Sequence, residues 1–394
     1  MRTITLLIGA LLAVACCGAP VSYPTVDTGV QACYGNFGPI TPPRAGGAFF
    51  GQDGQYRGNE PSYRDNGDGT VSDLVTGLMW IKARGAKMTW HDAVAGAKAC
   101  RTGGYTDWRM PAIKELYSLI NFNGCMARNW SIADSAPYID TRYFDFAYGN
   151  TQAGERPIDC QDWSVTEYIG TTMNGNPTVF GVNFADGRVK GYPKAMRDPR
   201  GQREHRLYVR YVRGNPQYGK NDFVDNRDGT VTDRATGLMW QKADSGKTFN
   251  WQGALAYAEG LTLAGHDDWR LPNAKELQSI VDYTRAPLQT RSAALDPIFS
   301  VTNIESYFWT GTTHLESPPE SGAAVYLCFG RGMGYLQMPP GSGNLRFIDV
   351  HGAGAQRSDP KFGDPARFPQ GRGPQGDDIR IYNYVRCVRN AYRN

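Results

Sequence analysis

DNGDGTVSDLVTGLMW occupies residues 65–80, and DNRDGTVTDRATGLMW occupies residues 225–240. One chain therefore writes nearly the same sixteen residues twice. The front of each copy is turn chemistry, because Asn, Asp and Gly tolerate the left-handed backbone of a tight hairpin. The TV-D and GLMW pieces that follow read as the strands around that turn. Asp65, Asn66, Asp68 and Asp73, with Asp225, Asn226, Asp228 and Asp233, also form an oxygen-only set of the kind calcium takes. The EF-hand register fails: with Gly69 at the sixth position, the first and twelfth positions hold Arg64 and Val75. A turn and a calcium site both remain open at this point.

Working outward, the likeness continues. TWHDAVAGAKACRTGGYTDWRMPAIKELYSLI (Thr89–Ile120) aligns with NWQGALAYAEGLTLAGHDDWRLPNAKELQSIV (Asn250–Val281). Trp163 then matches Trp309, FGVNFADGRVKGY matches VYLCFGRGMGYLQ, and YVRYVRG matches YVRCVRN. Each unit is the size of one domain. The expected organisation is a signal over residues 1–17, a Gly/Pro-rich linker over 18–60, and units over 61–214 and 219–391. Within a unit, a first helix is expected near Trp90–Ala99 and Trp251–Leu261, capped in the first case by Thr89 with Asp92. A second begins at Pro111 or Pro272, with Leu116, Leu119 and Ile120, or Leu277, Ile280 and Val281, on its buried face. From pattern alone the fold class is α+β.

These motifs in this order resemble the Lcl C-terminal domain family, twice over. The resemblance implies C-type-lectin-like units related to the formylglycine-generating enzymes, each with two helices on a small twisted antiparallel sheet and long loops. Similar proteins include collagen-like adhesins that bind sulfated polysaccharides, although this chain has no collagen tract.

At 394 residues with a net charge of +4, the chain suits two domains and lacks the dense basic face that nucleic acid requires. MRTITLLIGALLAVACC (Met1–Cys17) reads as an export signal, too short to span a bilayer. Ala13-Val14-Ala15 suits cleavage before Cys16, and the same stretch resembles a bacterial lipobox in which Cys16 is lipidated. The expected location is thus the cell envelope, lipid-anchored or otherwise secreted, where disulfides persist. Cys328 aligns with Asn183 and Cys387 with Tyr211, so both partners vanish together in the first unit. That pattern fits a Cys328–Cys387 disulfide, with two separate buried thiols as the alternative. Cys33, Cys100, Cys125 and Cys160 stay unordered.

No chemistry-bearing spacing stands out. The five histidines are single, and no nucleophile elbow or phosphate loop is written. Asp107-Trp108-Arg109 and Asp268-Trp269-Arg270 fit either a ligand site or an arginine paired to a carboxylate at a helix mouth. Lys114-Glu115 and Lys275-Glu276 read as a solvated helical face. The stretch His351–Arg380 reads as an insertion that carries Arg357, Lys361, Phe362, Arg367, Phe368 and Arg372, a composition suited to an acidic glycan or a protein. The functional expectation is a non-enzymatic envelope binding protein or adhesin, with a glycan, sulfated or not, or an envelope or host protein as partner. An enzyme of the formylglycine-generating branch and a purely structural envelope part are the alternatives. No cofactor is expected beyond the calcium option.

Overall fold

The computed structural model describes residues 21–127, 129–198, 201–316, 322–339 and 341–392. The export signal and Cys16 lie outside the described residues.

The repeated stretch forms the same four-stranded sheet twice. In the first copy Tyr63–Asp65, Thr70–Asp73 and Leu78–Ile81 make a meander that Val212–Gly214 completes. In the second, Phe223–Asp225, Thr230–Asp233 and Leu238–Gln241 are completed by Val388–Asn390. Alternation puts Val71 and Trp80, or Val231 and Trp240, wholly inside. The register sets Val212 opposite Trp80 and Val388 opposite Trp240, so the two ends of each repeat meet in one sheet.

Arginines present in both repeats fasten this arrangement. Arg210 is buried and donates to the carbonyls of Ile81, Lys82 and Asp145, while Arg386 donates to those of Gln241, Lys242 and Ser300. Arg213 pairs with Asp107, and Arg389 with Asp268. Each DWR arginine forms a two-pronged pair inside its own repeat, Arg109 with Glu115 and Arg270 with Glu276. Those carboxylates also accept from the backbone N–H of Ala112 and Asn273 at the helix start. The DWR motif is therefore a folding device.

The expected α+β unit of two helices on a sheet is overturned. Strands account for 31% and helices for 13%, in a molecule that is mostly β. Helices α1 (Trp90–Ala99) and α3 (Trp251–Glu259) run ten and nine residues; α2 (Ile113–Ser118) and α4 (Ala274–Ser279) run only six. The helical spacing of Leu116, Leu119 and Ile120 misled because the segment is buried on all sides. Leu119 and Ile120 lie beyond the end of α2 and are buried there all the same.

The larger organiser is a six-stranded antiparallel sheet that neither repeat owns. Its strands are β1 (Asp162–Thr172), β2 (Asn176–Asn183) and β3 (Arg188–Pro193) from the first repeat, with β4 (Tyr307–His314), β5 (Ala323–Cys328) and β6 (Gln356–Pro360) from the second. The order is β4-β5-β6-β3-β2-β1, joined where Gln356 of β6 faces Val189 of β3. One apolar core runs through both repeats, taking Leu116 and Phe180 from the first and Leu277 and Val325 from the second. The pairing of GRVKGY with GRGMGYLQ fails in space. Met333–Gln337 leaves the sheet to pair with Leu345–Asp349, and β6 takes the place that β3 holds in the first repeat.

The two lysines read as solvated reach across the seam, Lys275 buried and Lys114 half-buried. Lys114 donates to the Ser279 carbonyl of the other repeat, as well as to Gly219 and Asn221; Lys275 donates to the Ser118 carbonyl and to Asp27. The amino-terminal stretch is not a loose linker. Tyr23, Val26, Cys33 and Asp53 are buried, and residues 51–58 pack as a strap beside β4 and α4.

Candidate functional site

A cleft of about 350 Å³ opens over the junction of β3 and β6. Arg188 and Lys190 enter it from β3, two residues apart and so on one face of the strand. Arg357 and Ser358 enter from β6. The far wall is the turn Arg372–Asp377, closed by the pair of backbone bonds between those two residues. Trp130 stands on the rim, and the Arg156 guanidinium lies 5.9 Å from its ring centre.

Four cations share this small volume with three carboxylates. Arg357 is held by Asp377, whose other oxygen meets His351 Nε2 at 2.6 Å. Arg188 donates to Ser358 Oγ at 2.9 Å and reaches Asp186 and Glu316, while Arg372 pairs with Glu316. Burial works against the Asp377 carboxylate, but Arg357 and His351 outweigh it and hold its pKa far down. Burial chiefly, with Arg357 next, lowers Lys190 to about 8. Burial also lowers His314 and His351 to about 4, so both are neutral at physiological pH.

The internal pairs do not use all of the donors. Arg357 is 4% exposed, yet among the described residues its Nη1 has no hydrogen-bond partner, and the same holds for Arg188 Nε. His314 gives its Nε2–H to the Asp186 carbonyl, so its unpaired Nδ1, like the unpaired Asp186 Oδ1, is an acceptor. A buried unpaired donor costs about 1–3 kcal/mol. Guanidinium donors left in this state beside a cleft are available to an acceptor that arrives from outside, water included.

The six insertion residues part company here. Arg357 and Arg372 line the cleft. Lys361 is buried elsewhere, donating to the Gly35 carbonyl and Thr313 Oγ1 and lying 4.0 Å from the Trp251 ring centre. Phe362 is exposed and meets Phe37 edge-on at 5.3 Å. Arg367 sits exposed in a single turn at Pro365–Arg367, followed by half-buried Phe368. Sequence reading missed Arg188, Lys190 and Trp130. The alternation in GRVKGY is the signal that a strand presents two cations on one face.

The acidic turns are accounted for by their own loops. Asp68 and Asp228 accept from the N–H and hydroxyl of Thr70 and Thr230; Asn66 and Asn226 donate to the same threonines. Asp65 and Asp225 pair with Lys82 and Lys242. Asp73 and Asp233 accept from the backbone of the next turn. Among the described residues no group of three or more His, Cys, Asp or Glu is placed to hold a metal. All six described cysteines are free thiols, and Cys328 and Cys387 pack in one apolar cluster rather than as a bridge.

The Lcl C-terminal domain model matches residues 69–213 and again 229–348, and this chain belongs to that family. The second match stops before β6 and the final strand. No curated protein and no solved structure matches the chain.

Proposed function

We propose that this chain is a non-catalytic binding protein whose cleft over the β3–β6 junction recognises an anionic saccharide unit, carboxylated or sulfated. The observation that carries this reading is the unpaired Nη1 of buried Arg357, backed by Arg188, Lys190 and Arg372 in the same cleft. Guanidinium groups suit planar or tetrahedral oxyanions, and Trp130 at the rim offers a face for a sugar ring. The cleft has the size of a small-ligand site, about 300–1,000 Å³. Placement in the cell envelope, anchored through Cys16 or secreted, belongs to the same proposal and rests on the apolar amino-terminal run.

A glycan array, first with calcium and then with chelator, tests it. Sulfated or uronic-acid glycans should bind saturably and uncharged ones should not. Arg372→Ser should weaken that binding at least tenfold, whereas Arg367→Ser, outside the cleft, should leave it unchanged. Equal losses from both, or a blank array, would sink this reading. Loss in chelator alone would bring calcium into the site.

A further inference from the structure

The two repeats offer the same pocket twice, and only one is filled. In the second repeat the pocket lies beside the start of α4, between Arg270 and Thr312. Residues 51–58 of the strap fill it. Thr312 Oγ1 donates to Asp53 Oδ2 at 2.6 Å, and the Arg270 guanidinium stands 5.3 Å from the centre of the Tyr56 ring. The space left there is only about 20 Å³. In the first repeat the matching groups are Arg109 and Thr166, and beside them lies a cavity of about 500 Å³.

The correspondence holds bond for bond. The backbone N–H of Ile113 donates to Thr166 Oγ1, just as that of Ala274 donates to Thr312 Oγ1. Thr312 spends its own proton on Asp53, and Thr166 still has that proton to donate. The Arg109 side chain is 38% exposed against 13% for Arg270. The neighbouring sheet edge shows the same contrast: β4 is buried at every position, while β1 exposes Val165 and Ile169. Among the described residues, none covers the first repeat as the strap covers the second.

We infer that the first-repeat cavity receives an extended peptide segment of another protein, carrying a carboxylic acid and, three residues on, a tyrosine-like ring. The acid meets Thr166 and the ring lies over Arg109, as Asp53 and Tyr56 do in the twin. Arg109, Lys114 and Lys220 are balanced there by Glu115, Asp282 and Asp296, which disfavours a polyanion and suits one acid group on an otherwise neutral segment. One difference sets the fit. A Cβ on Gly311 would come within 3.2 Å of the Asp53 nitrogen, and the first repeat has Val165 at that position. The incoming backbone must pass slightly farther out than the strap does.

The probe is a labelled peptide with the sequence of residues 49–60, FFGQDGQYRGNE, titrated against the whole chain by fluorescence polarisation. The wild type should bind it saturably. Val165→Gly, which completes the likeness to the twin, should tighten binding at least fivefold. Val165→Glu, on an exposed strand position, should weaken it at least tenfold with an unchanged unfolding midpoint. A peptide with the Asp and Tyr replaced by Asn and Ala should not bind. No binding by the wild type, or equal binding by all three chains, overturns the inference; equal binding would mean that the peptide only displaces the strap from the second repeat. Self-association of the chain that Val165→Glu abolishes, without peptide binding, would overturn it in favour of a second copy as occupant.

Discussion

The first and second repeats share their fastenings and differ in their cover. Both hold an arginine on three carbonyls, a DWR arginine on a helix-start glutamate, and a lysine reaching across the seam. Over the second repeat lies a strap that buries β4 and closes the pocket at Arg270. Over the first repeat the described residues provide no such cover, and both Val165 and the Arg109 pocket are open among them. Duplication thus preserved the interactions that close each unit, while the surfaces that meet other things diverged. The central cleft belongs to neither repeat alone, since each supplies one of its two cationic strands.

The largest expected effect tests the shared part. Arg386→Ala and Arg210→Ala each leave three carbonyls, one fully buried and two partly buried, without their donor and open a large gap in the packing, and each should cost about 3 kcal/mol or more. Denaturant titration should give similar losses for the two. A cost confined to one repeat would break the equivalence of the fastenings.

Next comes the seam. Lys275→Ala should cost about 1–3 kcal/mol through the carbonyls of Ser118 and Asp27 left without a donor. Lys114→Ala should cost less, because Lys114 borders the open cavity and water can replace its ammonium. Burial lowers both lysines to about 8. Their unfolded forms hold a proton up to the ordinary 10.5, so the penalty is present in full below about pH 8 and is relieved as pH rises toward 10.5. Equal losses for the two substitutions would show that the open cavity makes no difference to the first seam lysine.

The smallest effect is local to the strap. Burial raises Asp53 to about 7, against the hydroxyl bonds from Thr312 and Thr28. The folded chain therefore keeps this proton at pH values where the unfolded chain has lost it. The contribution to stability is complete below about pH 4 and is lost as pH rises through about 7. Hydrogen exchange at residues 51–58 should be slower at pH 5 than at pH 8 after correction for the intrinsic rate, with no such change at the uncovered edge around Val165. Asp53→Asn should flatten the dependence. An unchanged pH profile in that variant would assign the effect elsewhere.

How much could be read beforehand differs by feature. The turns and the strands around LMW follow from residue types that act on near neighbours. The Arg–Glu pair of the DWR motif spans six positions and was open to the same reasoning. The seam lysines were misread because helical spacing says which residues share a face, and not what that face meets. The cleft residues were only half found. Arg357 and Arg372 stood out in a Gly/Pro-rich insertion, while Arg188 and Lys190 looked like ordinary strand residues until β6 was laid beside β3.

By itself, the sequence determined that there are two like units and where each turns, because local backbone preference and burial periodicity are written residue by residue. The tertiary structure alone decided that the units share one sheet and one core, that the strap covers the second and leaves the first open, and that four cations meet at the junction. Those outcomes depend on which edges pair over distances of more than a hundred residues, and no local pattern of residues specifies that choice.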